Sequence, residues 1–516
     1  MKKLLILLIL AISTHCFAQD WPVKKMVMTA KANKVSFTSL PAFSFIANKT
    51  LTGRGTYQQL SLNPSFSKLL MEQRPDAITI NIPLSSKQSI NCDLVKFSLG
   101  NIKVTENNDR VVENLKIPVT YRGIITGMKG SNTVILTVNE EYLSLEASMT
   151  GVSIQVSKAD ETNSSTYRLY NSASIKFPPV SFNCGTNISP SSKTIDGIDL
   201  TGVQVNPLAV EDKCVNVFVD CFDSLYFWQK SNTQRTTNYV YELFNLVAAG
   251  FFNAQINVQI TAINVWTTKD PYRGDVRANA LYDLANYWKD NFWGNICVGL
   301  DYSSPVSNRF GRAGAIGKVK AVSANTCPAF NYSGTDSISA CIYNDLNYGG
   351  VYTNFPTGPN TTQGQVYSTM HEIGHLLGAH HTHWCGWKIS SNPDVFGAID
   401  SCATPEGNCM KGPPPAAGSG TIMSYCNGNV GVDYYNGFGM LPGNAIRNFV
   451  DQSVCILNCI DCFGVRNINN KELYAFQNNA AAIKKRKPDD EDNSNGQTKK
   501  PPTAGYQFIN TQKIKQ

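Results

Sequence analysis

Charge is scarce in this chain. Only 16% of its 516 residues are Asp, Glu, Lys or Arg, against 42% hydrophobic. That balance excludes a disordered polyelectrolyte over most of the length and leaves material for about two or three domains with real cores. A basic stripe is missing too. The net charge of +7 is small for the length and much of it sits at the two ends, so nothing marks a nucleic-acid-binding face. Past the first residues no apolar run approaches the ~20 residues of a membrane-spanning helix. No internal repeat is found. Cysteine is nearly absent from the first part of the chain: Cys16, Cys92 and Cys184 lie there, whereas twelve of the 15 fall between Cys214 and Cys462. That asymmetry points to a boundary near residue 200.

The chain opens with "MKKLLILLILAISTHCFAQD". Lys2 and Lys3 precede an apolar core, Leu4 to Ile12, that is too short to span a bilayer, and Cys16 and Ala18 are small residues before a cleavage point after Ala18. This reads as a bacterial-style export signal over residues 1–18, with a soluble product that is secreted or periplasmic. Removing Cys16 leaves an even number of cysteines, which in an exported chain argues for disulfides.

Residues 19–205 read as β-rich. "DAITINIPL", "VVENLKIPVTYRGIITG", "NTVILTV" and "GVSIQVS" alternate apolar and polar residues, with polar turns such as "TENNDR" and "ADETNSS" between them. "PPVSFNCGTNISPSSKTIDGIDL" follows as a linker. From Cys214 the pattern changes to strand, helix, strand, helix, strand: "CVNVFVD", "TTNYVYELFNLVAAGFF", "INVQITAINVW", "VRANALYDLANYWKDN" and "NICVGL". That order predicts an α/β sheet. The glycine-rich run "GRAGAIGKVKAV" fits no phosphate loop, and its "KVKAV" predicts a sheet edge bordering a cleft, able to pair with an extended substrate. Residues 463–516, with "KKRKPDDEDNSNGQTKKPP", are too polar to form a core and read as a disordered tail.

Chemistry is concentrated in "HEIGHLLGAHH", residues 371–381. Val366, Met370, Ile373 and Leu377 predict one apolar helical stripe, and His371 and His375 then share the other side, one turn apart. Two imidazoles so placed can reach one cation, and zinc favours such ligands at about 2.0–2.1 Å. Gly378 is suited to end the helix in a left-handed conformation, so that the returning chain delivers His381 as third ligand. One coordination position stays open for water, and Glu372 stands beside it as a general base that later returns the proton to a leaving amine.

HExxH alone is weak, but HExxHxxGxxH fixes five positions. "GSGTIMSYC" adds Met423 in a tight-turn setting downstream. With these motifs the chain resembles the metzincin zinc endopeptidases, in which a methionine floors the histidine ligands, and "HTHWCGW", "GAIDSCATPEGNC" and "GTIMSYC" make it most similar to bacterial reprolysin-like, adamalysin-related enzymes over roughly 210–462. The β-rich region resembles the propeptide of that family. The resemblance implies an α/β (α+β) catalytic domain with a twisted mixed sheet, an active-site helix and an irregular disulfide-rich lower part, one catalytic Zn2+, protein or peptide substrates and synthesis as a latent zymogen. Two positions depart from the adamalysin pattern: Thr382 stands where Asp is usual, and Tyr425 follows the turn methionine as in astacins and serralysins. Tyr425 reads either as a stabiliser of the tetrahedral intermediate or as a core tyrosine.

Cys184, in "FNCGT", has two readings: a switch that fills the open zinc position as thiolate, or a disulfide partner, most simply of Cys92. Among the later cysteines, Cys402–Cys409 and Cys385–Cys426 are expected pairs, with Cys455, Cys459 and Cys462 also bridged. His380 and His383 read as surface groups or as supports for the ligands. The alternative function is a catalytically silent binding or adhesion protein on the same fold, against which the intact Glu372 speaks. Nothing in the sequence carries a reading of calcium binding or of oligomeric state.

Overall fold

The computed structural model describes residues 22–459 apart from 52–54, 131, 150–151, 160–164, 172–183, 185, 187–192, 196, 204–212, 273–279, 289–291, 303–310, 321–340, 347–362, 392–394, 427–429 and 431–436. The export signal, Cys462 and the 463–516 tail lie outside the described residues. No helix among the described residues is long and apolar enough to cross a membrane.

Alternation in the first half produces a ten-stranded sheet, antiparallel except where Thr38–Leu40 runs parallel to Ala77–Pro83. It curls until the strand Phe43–Leu51 comes against Ala77–Pro83. The inner face buries Ile78, Ile80, Leu94, Leu136, Leu145 and Val156. Two helices interrupt the expected run of strands, Pro22–Ala32 and Pro64–Gln73. The second has the local signals of a start and a stop: Asn63 accepts the Ser65 N–H at 3.0 Å, Pro64 opens the first turn, and Arg74 ends it in the left-handed region.

A second sheet has seven strands: β1 (Lys103–Glu106), β2 (Arg110–Val111), β3 (Cys214–Cys221), β4 (Asn257–Val265), β5 (Ile296–Asp301), β6 (Gly311–Ala313) and β7 (Cys341–Asp345). Their order is β6-β7-β5-β3-β4-β1-β2. The centre is parallel, and β6 lies antiparallel on β7 at the edge. Three helices matter for the site: α1 (Thr233–Asn253), α2 (Gln363–Leu376) and α3 (Met440–Gln452). Buried on both faces, β3 is apolar almost throughout, as such strands must be. α1 is buried nearly all round because it lies between the two sheets: Val240, Leu243, Phe244 and Val247 serve one core, while Asn245 donates to the Leu136 carbonyl and to Thr137 Oγ1 of the N-terminal sheet.

Three expectations are corrected. The sheet edge is Gly311–Ala313, not "KVKAV"; Lys318 to Lys320 form no strand, because Val319 is buried in the core and the Lys320 N–H is spent on the Asn295 carbonyl. The stretch expected as linker contains a docked hairpin, Thr194–Ile195 with Ile198–Asp199, whose Leu200 is fully buried and whose Gly202 carbonyl accepts from Asn444 on α3. The β-rich region also lends β1 and β2 to the second sheet.

Candidate metal centre

α2 carries the expected apolar stripe, but its other side is no more exposed. His371, Glu372 and His375 are all fully buried. Gly374, between the histidines, lets the neighbouring segment come close: a Cβ there would lie 2.9 Å from Met423 Sδ and 2.9 Å from Phe438. α2 stops at Leu376, Gly378 turns the chain at a φ of +96° that suits glycine, and the chain returns with His381.

Each imidazole is oriented through its Nδ1. That of His371 donates to the Ile422 carbonyl, that of His375 to the Ala379 carbonyl, and that of His381 to Glu406 Oε1, each at 2.7 Å. Backbone carbonyls can only accept, so the proton sits on Nδ1 of His371 and His375 and the Nε2 lone pairs are left to converge. His375 Nε2 stands 3.1 Å from those of both His371 and His381. Burial and the neighbouring imidazoles hold His371 and His375 well below the usual histidine range, and burial lowers His381 as well. All three are therefore neutral, and three bare lone pairs face one another at hydrogen-bond distance.

A cation among them resolves that repulsion. Tetrahedral zinc with nitrogen ligands at 2.0–2.1 Å would set them about 3.3 Å apart, and a thiolate at 2.3 Å would stand roughly 3.6 Å from each nitrogen. Cys184 Sγ stands 3.6 Å from His375 Nε2. The donor atoms of Cys184, His371, His375 and His381 all lie within 4.8 Å of one another. The residues present thus fit a metal. Without one, burial and the Glu372 carboxylate push the Cys184 thiol well up, so a cation is what would hold it as thiolate.

Glu372 faces the same space. Its Oε2 accepts from Thr186 Oγ1 at 2.9 Å, and Cys184 Sγ lies 3.6 Å away. Burial raises its carboxyl to about 7, against the pull of those hydrogen bonds. The Thr186 hydroxyl in turn accepts from the Ala313 N–H of β6 at 2.8 Å, and Cys184 forms a parallel bridge to Gly311. Gly311 packs directly on Glu372, where a Cβ would fall 2.6 Å from Oε1 and push that side chain aside. Met423 is fully buried beside α2, its carbonyl accepting from Thr382 N–H at 3.0 Å. Tyr425 OH reaches within 3.4 Å of His381 Nε2, and burial holds its phenol protonated.

The structure thus brings together every site residue expected from the sequence. It contradicts both expected disulfides: the pairs are Cys385–Cys409 and Cys402–Cys426, each 24 residues apart. The first folds the loop that carries Glu406 back beside His381, and the second ties that loop to the turn after Met423. Cys459 is bridged to Cys214, and Cys455 is also in a disulfide. Cys184 and Cys92 are both free, Cys92 being buried in the N-terminal core. His380 and His383 are buried, not surface groups: His380 stacks on Trp384 at 3.7 Å, and His383 stacks on His381 and contacts Glu406 at 3.2 Å. Sequence reasoning missed Glu406, Thr186 and Gly311. Only Glu406 left a trace, as the one carboxylate between Cys402 and Cys409.

Residues 211–435 match the family Reprolysin_5, described as metallo-peptidase family M12. No curated protein matches the chain. Among solved structures, metalloproteinase-II from Bacteroides fragilis is 12% identical, with 59% of this chain and 81% of that chain covered at a TM-score of 0.33. A chaperone–substrate complex is 11% identical, with 47% and 35% covered at 0.24. Likenesses that slight carry no weight for fold or function. The family match spans less than half of the chain, and His371, His375 and His381 lie inside the matched residues.

Proposed function

We propose that the chain is an exported zinc endopeptidase and that the described arrangement is its latent precursor. Residues 19–205 act as an inhibitory propeptide, 210–462 as the catalytic part. The observation that carries this is the fourth donor: Cys184 brings its sulfur to within 4.8 Å of the ligating nitrogens of His371, His375 and His381, so these four residues would hold the ion and leave no place on it for water. Zinc held there supplies Lewis acidity toward a peptide carbonyl and lowers the pKa of a water. Glu372, beside the three histidines, would accept a proton from an attacking water and return it to the leaving amine, a role for which a carboxyl near 7 is well matched. Tyr425, kept protonated, donates to the oxyanion. Gly311 and Ala313 offer the edge against which an extended peptide lies, and Thr186 occupies one of its N–H groups in the precursor.

The test is casein cleavage by the precursor and its Cys184→Ala variant, with and without a zinc chelator. Chelator-sensitive cleavage at least about tenfold above the precursor is expected from Cys184→Ala; equal rates would remove the switch. Glu372→Ala in the same background should keep zinc and lose about 10²–10⁴-fold in kcat. Unchanged silence in every form, with zinc bound, favours the silent binding protein.

A further inference from the structure

The catalytic sheet is not built from the catalytic part alone. β1 pairs in parallel with β4, Lys103 opposite Ala262 through Glu106 opposite Val265. Around this pairing the Ile260 N–H donates to the Leu99 carbonyl at 2.7 Å and the Asn107 N–H to the Val265 carbonyl at 3.0 Å. The turn of the β1–β2 hairpin is clamped from the other side. Asn264 Oδ1 accepts from Thr105 Oγ1 and from the Asn108 N–H, and Asn107 exchanges hydrogen bonds with Thr267 through both its side-chain ends. Farther on, Lys116 and Gln234 of α1 are joined by two reciprocal bonds.

The packing agrees. Phe97, Leu99 and Val104 belong to the same core as Val215, Phe244 and Ile260. Gly100, at φ +117°, lies so close to β4 that a Cβ would sit 2.5 Å from the Ile260 carbonyl oxygen. Removing residues 97–116 would bare the edge of β4 and open the core beneath it, and an apolar unpaired edge in water is a liability for a folded protein.

We infer that a cut between Thr186 and Lys193 withdraws the Cys184 segment from the metal centre without releasing the N-terminal domain, which stays as a non-covalent subunit with its β1–β2 hairpin as the outer edge of the protease sheet. The inference rests on the propeptide reading of residues 19–205, and its partner is a segment of this chain itself: an extended strand recognised by backbone pairing and by the Asn264 and Thr267 clamp.

The experiment replaces residues 187–192 of the full chain with a site for a specific protease, cuts, and runs the product through native gel filtration at about 0.15 M salt. The same is done with Cys184→Ala and with Val104→Asp, which puts a charge on the buried face of β1. Co-elution of both fragments in the parent and in Cys184→Ala, lost in Val104→Asp, is the expected result. Separation in the parent, or separation once Cys184 is gone, would overturn the inference, as would co-elution that survives Val104→Asp. Should Val104→Asp not fold, hydrogen exchange of β4 in the cut parent decides: protection unchanged from the intact chain supports the retained strand, and a loss of ten-fold or more removes it. Casein cleavage on the same samples reads latency separately. No gain on cutting, with the fragments still together, would sink the propeptide reading and leave the retained strand standing.

Discussion

Glu406 sits 25 residues beyond His381 and meets it at 2.7 Å, so that one of the three imidazoles is backed by a carboxylate and the other two by carbonyls. Burial works against that carboxylate, but the bonds from His381 and His383 hold it well below the usual range, and it is ionised at any working pH. An anion on the far nitrogen makes the ligating one more basic. With Cys184 replaced by Ala, Glu406→Ala should weaken zinc binding by about 10–100-fold and Glu406→Gln by less, read by competition with a chromophoric chelator. Equal affinities would make Glu406 a loop anchor only. A second, partly buried carboxylate tests linkage away from the metal. Burial, and Asp223 beside it, raise Asp270 to about 8. Unfolded, it would titrate near its ordinary value of about 3.9. Between those pH values the folded chain holds the extra proton, so its stability falls as pH rises through the window. Asp270→Asn should therefore raise the unfolding midpoint at about pH 8.5, by on the order of 1 kcal/mol, and leave it unmoved at about pH 4.

At the scale of elements, α2 is the part most legible in the sequence. Its spacing places both histidines and the glutamate by helix geometry alone, and Gly378 announces the turn. A Cβ at Gly378 would meet Leu200 at 2.9 Å and Phe449 at 3.3 Å as well as a positive φ. Gly378→Ala should cost more than about 1 kcal/mol and lower zinc content, whereas Gly127→Ala, at φ +77° with nothing nearby, bears the backbone strain alone. Unfolding curves and metal analysis of the two would separate fit from strain. What lay out of reach were partners chosen by the folded path. "TENNDR" is visible as a turn, Asn107 and Asn108 both adopting positive φ, but nothing local says that its strand pairs with Ala262–Val265. Likewise the spacing of Cys385, Cys402, Cys409 and Cys426 does not choose among pairings; the loop that carries Glu406 back to His381 does.

For the whole molecule, the two sheets meet across α1, and the metal centre joins α2, the loop carrying Glu406 and the segment of Cys184. A ligand set drawn from such distant parts stabilises the folded chain by binding it alone. Stripping metal from the full chain should lower its unfolding temperature by roughly 5 °C or more, and Cys184→Ala should narrow that difference. No change on chelation would mean that the fold does not depend on the ion. The disulfide between Cys214 and Cys459 has a consequence of another kind. It closes nearly the whole protease region into a covalent ring, so a single nick inside it opens the ring without parting it. Damaged or self-cut molecules would travel as full-size chains until a reductant is added, and an intact band on a non-reducing gel counts molecules that keep the disulfide, not those that keep the backbone.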